Sequence, residues 1–571
     1  MKLKLPYGIP NFRSVSEEGY FFVDKTPFVE KLENLNEKYI FFLRPRKFGK
    51  SLFISMLEYY YDIKHRGNFE QLFGDFYIGK NPTPLHNDYL VLVLDFSGIN
   101  TETKESTYRG FWIKVHEGVG KFLDSYEKCL DVRDKEKILE IEEPEGMVVE
   151  LLRLVRAKTE KKISLLIDEY DHFANELLAF RVDMFKELVS RAGFVRKFYE
   201  VLKTGARDGI IDRMFITGVT PITLDSFTSG FNIGRNLSLD EQFHDMLGFT
   251  EDETRSLIQI VCSNCGTSLE EIYQQMSAYY NGHKFCDEYL GGKLFNPTMV
   301  LYYLSDYQRY CRPPRRLIDP NIASDYCKIG NFFRLFEIEE GREIINDLMA
   351  RDVIYGNLTV QFNLERKFER DDFISLLLYM GFISVDRMAG ESVEFSIPNY
   401  VIKELYYSYL YEIMEQEYGL ELKVEELRAA MRELAYQGKI ESLVIIIEEF
   451  LKKVLSNRDF RGFKESHLKV HILTLLHLSK MYYIQSELEA ERGYIDIFLR
   501  EAPQFPVDYE WVLELKYVRK PETEAIEPVK CEGLEQLQRY MQKVSSQARR
   551  NLKGALLLFS SEGACLDYST D

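Results

Sequence analysis

Four short, mostly apolar runs punctuate the first 220 residues: 39–43 (YIFFL), 90–95 (LVLVLD), 163–167 (ISLLI) and 213–218 (RMFITG). Each is bounded by polar residues and is apolar at consecutive positions instead of alternate ones, the pattern of strands covered on both faces. Segments of helical period separate them, the first being SLFISMLEYYYDI directly after YIFFL and its loop. Strand and helix in alternation predict a parallel sheet with helices on both sides.

Past Ser238 the period changes. Residues 238–316 read as helical, with helices at 251–261 and 269–280 and loops at YYNGHKF and LFNPT, which predicts a lid. Residues 371–380 read as a helix, and 381–386 and 393–397 as strands joined by the turn MAGE. A helix followed by a hairpin is similar to a winged-helix unit, and equally a common filler. Residues 400–455 are almost continuously amphipathic helix, expected to act as a spacer. From about Asp459 a new order begins: helix 466–479, strands near 482–489, 494–499 and 511–516, helix 534–547 and strand 555–559.

A chain of 571 residues is too long for one hydrophobic core and implies about three or four units. The net charge of −18 makes the surface as a whole repel nucleic acid and anionic membrane, so any phosphate-binding surface must be local. Two stretches run against that average: RPPRR at 312–316, and Lys516, Arg519, Lys520, Lys530, Arg539, Lys543, Arg549, Arg550 and Lys553. Charge runs are ordinarily solvated faces. No apolar stretch is long enough for a membrane span and no apolar leader follows the first lysines, so a cytoplasmic location is expected. The eight scattered cysteines fit reduced thiols, and Cys262 and Cys265 form a lone CxxC without the second pair that zinc requires.

RPRKFGKS sits between the first strand and the first helix. Gly49 would let the backbone approach phosphates, Lys50 would reach their β and γ oxygens, and Ser51 would offer its hydroxyl to Mg²⁺ at a helix N-terminus. The general pattern asks for glycine where Arg44 stands, so the match is degenerate. Asp168 ends the third strand and Glu169 follows, positions from which a carboxylate can complete a Mg²⁺ shell and a second can orient water. Thr217, on the fourth strand, could sense a γ-phosphate or simply end the strand. Arg44 and Arg46 could supply transition-state charge or only brace the loop.

Far downstream, Asp496 lies in YIDIFL and Glu514 and Lys516 in WVLELKY. Two residues apart on a strand, Glu514 and Lys516 share a face, and hairpin pairing would bring Asp496 beside them. Two carboxylates and a lysine can hold Mg²⁺ and stabilise charge at a phosphodiester; the bland reading is an alternating exposed edge. His467 and His471 share a helical face but lack a third ligand and read as ordinary histidines.

RPRKFGKSL, preceded by FFVDKTPFVEKL and followed by LVLDFSG, LLIDEYD, FITGVTPI, YYNGHKF, LFNP and SIPNYV, resembles the bacterial AAA-ATPase-like family. That resemblance implies ATP binding and hydrolysis, and makes an arginine at position 44 usual. Gly493, Asp496, Glu514, Lys516 and GLEQL at 533–537 are similar to the PD-(D/E)XK nuclease superfamily, in the version that often accompanies that ATPase-like family. The resemblance implies Asp496 and Glu514 as metal ligands, Lys516 as catalytic lysine, Gln536 as a supporting polar residue, and Glu465 and Glu487 as weaker acidic positions. Tyr494 stands where that superfamily often has arginine, which touches a secondary contact and not the metal triad.

The expectation is therefore an α/β protein: a P-loop NTPase parallel sheet (1–237), a helical lid (238–330), a helical and winged-helix-like middle (331–455) and an α/β PD-(D/E)XK nuclease-like domain (456–571). Its expected activity is an ATPase coupled to a Mg²⁺-dependent nuclease, with ATP and Mg²⁺ as cofactors, nucleic acid (DNA or RNA) as partner, no membrane, and assembly into a homo-oligomer left open. The alternative is a nucleotide-gated protein that binds or remodels nucleic acid or protein through an inactive nuclease fold.

Overall fold

All four apolar runs form strands: β1 (Tyr39–Leu43), β2 (Leu90–Asp95), β3 (Ile163–Asp168) and β4 (Ile211–Gly218), to which a two-residue strand, β5 (Arg235–Asn236), is added. They pair in parallel in the order β2-β3-β4-β1-β5. Alternate residues enter opposite cores, Phe41 and Leu43 meeting Phe111, Val115 and Leu151, while Ile40 and Phe42 meet Phe53, Leu57 and Tyr60. That two-sided burial is why the runs are continuously apolar.

The computed structural model describes residues 3–130, 135–180, 184–185, 193–222, 233–322, 338–359, 362, 369–418, 424–456, 465–490, 493–518, 523–560 and 565–570. Two compact units divide them: 1–312 with 318–341 and 355–399, and 313–317 with 342–354 and 400–571. Among the described residues no helix is long and apolar enough to cross a membrane.

Within the first unit, helices Glu251–Cys262, Leu269–Tyr280 and Pro297–Tyr310 occupy the predicted lid. Cys265 is joined to Cys311 in a disulfide, so those two cysteines depart from the reading of reduced thiols. Cys311 caps the last of these helices in the left-handed region, and only the folded lid brings it to Cys265. Helix Arg370–Met380 and hairpin Ser384–Ala389/Ser392–Ser396 form as expected. The hairpin is docked on the YYNGHKF loop: the Val385 N–H donates to the Lys284 carbonyl, the Lys284 N–H donates to Ser384 Oγ, both at 2.9 Å, and Lys293 pairs with Asp386.

In the second unit the expected spacer is broken and packed. Its described helices are Tyr400–Tyr418, Val424–Arg432 and Glu441–Ser456, the last two separated by a π-helical turn ending at Gly438, φ +64°. Buried Trp511 donates its indole N–H to the Leu434 carbonyl at 3.1 Å, so this region forms part of the C-terminal core. A five-stranded sheet follows: β6 (Tyr482–Ala490), β7 (Gly493–Glu501), β8 (Tyr509–Val518), β9 (Asn551–Ser560) and β10 (Cys565–Thr570), ordered β10-β9-β8-β7-β6, with only β8 and β9 parallel. The crossover between β8 and β9 is made by helix Thr523–Val544, which starts earlier than its periodicity predicts and carries Pro528 within it.

Candidate functional site

Gly49 adopts φ +95° and caps the helix Lys50–Tyr61, a conformation that favours glycine and turns the loop into a helix N-terminus at the C-terminal edge of β1. A cavity of about 490 Å³ opens there. Arg46, Gly49, Lys50, Ser51, Asp168 and Glu169 all line it, so six of the eight residues expected at the nucleotide site are brought together. Lys50 is buried, and its Nζ donates to the carbonyls of Arg44 and Pro45 at 3.1 and 3.2 Å and lies 3.7 Å from Glu169 Oε1.

Arg44 and Thr217 do not reach this cavity. The Arg44 guanidinium is 1% exposed and donates to the carbonyls of Leu43, Ser238 and His244 at 3.0, 2.6 and 3.0 Å. It is sandwiched between the Phe42 and Phe285 rings at 4.3 and 4.4 Å, and burial pushes its pKa down to about 9. Where the general loop has glycine, this chain has a pillar tying the loop to residues 238–244, with no guanidinium left to face a phosphate. Thr217 is likewise buried and gives its hydroxyl to the Phe42 carbonyl at 2.7 Å, which holds β4 to β1.

Residues between His283 and Thr298 also hold the loop. Thr298 donates to the Lys47 carbonyl at 3.0 Å and Asn296 to that of Arg46 at 3.5 Å, while the His283 ring meets Phe48 edge-on. Gly381, at φ +80°, passes so near Pro45 that a Cβ would sit 2.7 Å from its ring. YYNGHKF and LFNP therefore brace the loop between β1 and the helix Lys50–Tyr61. The residues that sequence reading missed are Asp95, Ser97 and His172 at the Asp168 end, and an apolar end made by Ile9, Phe21, Phe22, Met246 and Leu301. Asp95 had a signal, since it ends β2 in register with Asp168.

Asp168 is buried, and its pKa is pushed up to about 6 by burial and then by the Glu169 charge, against the opposing Ser51 hydroxyl and Lys50. A carboxyl whose folded pKa is raised binds its proton more tightly folded than unfolded. Its contribution to stability is thus fully present below the ordinary carboxylate range and is lost as pH rises through about 6. In the nucleotide-free, metal-free chain, Asp168→Asn should therefore raise stability at pH 8 by on the order of 2 kcal/mol, with the gain vanishing by pH 4. Thermal melts at the two pH values check this; an equal effect at both would mean that the charge of Asp168 is not what the fold resists.

In the second unit, β7 and β8 pair at Ile497↔Leu513, Phe498↔Val512 and Leu499↔Trp511. One step further along this register Asp496 faces Glu514, and there the ladder ends: the Leu515 N–H donates instead to Asp496 Oδ2 at 2.9 Å. Glu514 is almost fully buried, and Lys516 Nζ donates to its Oε1 at 2.9 Å. Gly533 lets the crossover helix close over this edge, where a Cβ would lie 2.6 Å from Leu556 and 3.4 Å from Lys516 Cγ. Gln536, on the same helix, donates to Glu532 at 3.3 Å, while its buried Oε1 has no hydrogen-bond partner among the described residues. The structure joins Asp496, Glu514 and Lys516, and places Gln536 on the covering helix. The side chains of Glu465 and Glu487 lie outside the described residues.

Two neighbours were not anticipated. Lys469, 4% exposed on helix Glu465–His477, places Nζ 3.5 Å from Asp496 Oδ1. The buried Tyr540 hydroxyl has its pKa raised, chiefly by burial and then by the charges of Glu514 and Asp496. His471, by contrast, is buried with Nδ1 on the His467 carbonyl and its pKa pushed down to about 4 by burial, in keeping with an ordinary core histidine.

Comparison with known proteins follows this division. Residues 6–228 match the family model described as a predicted AAA-ATPase, and residues 463–566 match that of the PD-(D/E)XK nuclease superfamily. The chain carries an AAA-ATPase-like domain and a PD-(D/E)XK nuclease superfamily domain. A protein of Azotobacter chroococcum mcd 1, described as an uncharacterized protein in the vnfD 5' region, is 27% identical over 310 residues, 54% of this chain. The match spans about half, 53%, of that relative's own length. The AAA-ATPase-like match covers the Lys50 and Asp168 side of the cavity, whose lining is completed by residues 246–249 and 297–301 beyond the match, and the nuclease superfamily match covers the Asp496 cluster; together they support an ATPase and nuclease reading at the coarse level.

Proposed function

We propose that the chain is an ATPase whose nuclease superfamily domain hydrolyses nucleic acid phosphodiesters with Mg²⁺. The observation that supports it best is the meeting of Asp496, Glu514 and Lys516 at the edge where β7 and β8 part, in a chain whose other unit gathers Lys50, Ser51, Asp168 and Glu169 around a nucleotide-sized cavity. In the first unit the loop N–H groups and Lys50 bind the triphosphate, the γ-phosphate displacing Glu169 from Lys50. Ser51 and Asp168 would hold the Mg²⁺ shell, which would neutralise phosphate charge, and Glu169 would orient the attacking water. Arg46 stands at the cavity wall, from where it can reach phosphate charge.

In the second unit the two carboxylates fit a divalent ion. Asp496 and Glu514 meet across β7 and β8, Glu514 buried and Asp496 partly so, and the two carboxylates would hold the ion while leaving it open to water and substrate oxygens. A bound ion would supply a water of lowered pKa and neutralise phosphate charge. Lys516 then moves its proton-bearing ammonium from Glu514 toward the non-bridging phosphate oxygens, where negative charge grows.

The test is cleavage by the full chain of duplex DNA, single-stranded DNA and RNA with Mg²⁺, with and without ATP, against an EDTA control. Metal-dependent cutting that changes with ATP supports the coupled enzyme. Uncut but retained nucleic acid, with binding that weakens steeply in salt, would favour a nucleotide-gated binding protein with an inactive nuclease fold. ATP turnover stimulated by polypeptide and indifferent to nucleic acid would favour remodelling.

A further inference from the structure

Both carboxylates of the nuclease centre are already held by lysines of the same chain. Glu514 is engaged by Lys516 at 2.9 Å, from its own strand, and Asp496 lies 3.5 Å from Lys469 Nζ, from a different element, the helix Glu465–His477. The Lys469 side chain is 6% exposed and the Asp496 side chain 20%. An ammonium so buried is placed at a cost in desolvation that only a nearby carboxylate or strong acceptors can offset. The other oxygen of Asp496 accepts from the Leu515 N–H, so the oxygen nearest Lys469 is the one that this backbone bond leaves over.

We propose that Lys469 is a positioning residue of this centre: its ammonium is a resident counter-cation that competes with the divalent ion for Asp496. The inference rests on the metal-centre reading above and adds its regulation. Among the described residues Lys469 and Lys516 offset the charge of the two carboxylates, so a divalent ion entering alone must separate a cation from its partner and binds weakly. A phosphodiester brings negative charge that can draw an ammonium off a carboxylate, leaving the carboxylate to the ion. Ion and nucleic acid then raise one another's affinity, as linkage requires. The centre is thereby kept from tight metal occupancy until a substrate backbone lies against it.

The experiment is Mn²⁺ binding to the full chain, free of nucleotide and nucleic acid, by titration calorimetry at pH 7.5. It compares wild type, Lys469→Met, Lys469→Arg and Asp496→Asn, the last identifying the heat that belongs to this centre. Lys469→Met should tighten Mn²⁺ at the Asp496-dependent site by at least about tenfold, and Lys469→Arg should stay near wild type. In parallel, melting in EDTA of Lys469→Met, Asp496→Asn and the double variant should show the two substitutions to be non-additive, and an uncut oligonucleotide should tighten Mn²⁺ binding to wild type. If wild type binds Mn²⁺ through Asp496 and Lys469→Met binds it equally or more weakly, the competition is wrong while the metal centre stands. Should Lys469→Met fail to fold, the oligonucleotide arm decides: Mn²⁺ affinity of wild type unchanged by the oligonucleotide overturns the proposal. Absence of any Asp496-dependent Mn²⁺ heat in wild type, with and without the oligonucleotide, and in Lys469→Met alike would overturn the metal centre and the inference with it.

Discussion

Replacing Glu169 by glutamine should lower ATP turnover at least about a hundredfold while leaving ATP affinity within a few-fold of wild type or tighter. Glutamine keeps the volume of Glu169 and removes only its charge and proton-accepting capacity. Glu169 lines the cavity beside Asp168 and holds a positive φ of 50°, a conformation that a non-glycine residue keeps only when its surroundings impose it. In the nucleotide-free chain its Oε1 lies 3.7 Å from Lys50 Nζ, so the carboxylate occupies ground that a γ-phosphate would claim. Removing its charge therefore eases ground-state binding while taking away the group that aligns water for the chemical step, and the two effects separate in kcat and Kd. Single-turnover hydrolysis and a nucleotide titration measure them. Turnover that survives the substitution would move the water-orienting role to Asp95 or His172, which line the same end of the cavity.

The contrast between Lys50 and Arg44 shows what a sequence carries and what it withholds. Gly-Lys-Ser after a buried strand is legible because its job is local: the φ of Gly49, the helix N-terminus and the reach of Lys50 are all settled within a few residues. Arg44 is not, because the partners that define it, Ser238, His244 and Phe285, lie two hundred residues away in the chain and meet it only in the folded unit. Thr217 misled for a related reason. A strand-end threonine looks the same in sequence whether it faces a ligand or the neighbouring strand, and here it faces Phe42. The parallel strands were plain because both of their faces are apolar, whereas β5 is a two-residue edge strand and β10 an edge strand without a continuous apolar run. Residues 400–455 had the right period, but Gly438 ends a turn at positive φ and Trp511 anchors the break, and neither event leaves a mark on amphipathicity. Lys469 was hidden most deeply, as one lysine in an otherwise unremarkable helix whose partner is set by tertiary packing.

Glu514→Gln should remove nucleic acid cleavage by at least about a thousandfold while sparing nucleic acid binding to within a few-fold. The carboxylate is 3% exposed, so its charge acts in a poorly solvated place where a nearby cation, lysine or divalent ion, interacts with it strongly. Glutamine fills the same space yet offers an ion a single neutral oxygen in place of a charged carboxylate. It also leaves Lys516 without the charge that holds it, a cost of about 1–3 kcal/mol when one partner of a buried polar contact is removed. Melting must therefore accompany the kinetics: a modest loss of stability with intact binding and abolished cutting assigns the defect to chemistry. Loss of binding in step with cutting would instead mean that Glu514 shapes the surface and not the reaction. An outcome in which wild type cuts and Glu514→Gln cuts equally well would remove the Asp496 cluster from consideration as the hydrolytic centre, since no arrangement of Asp496 and Lys516 alone leaves two carboxylates to share an ion.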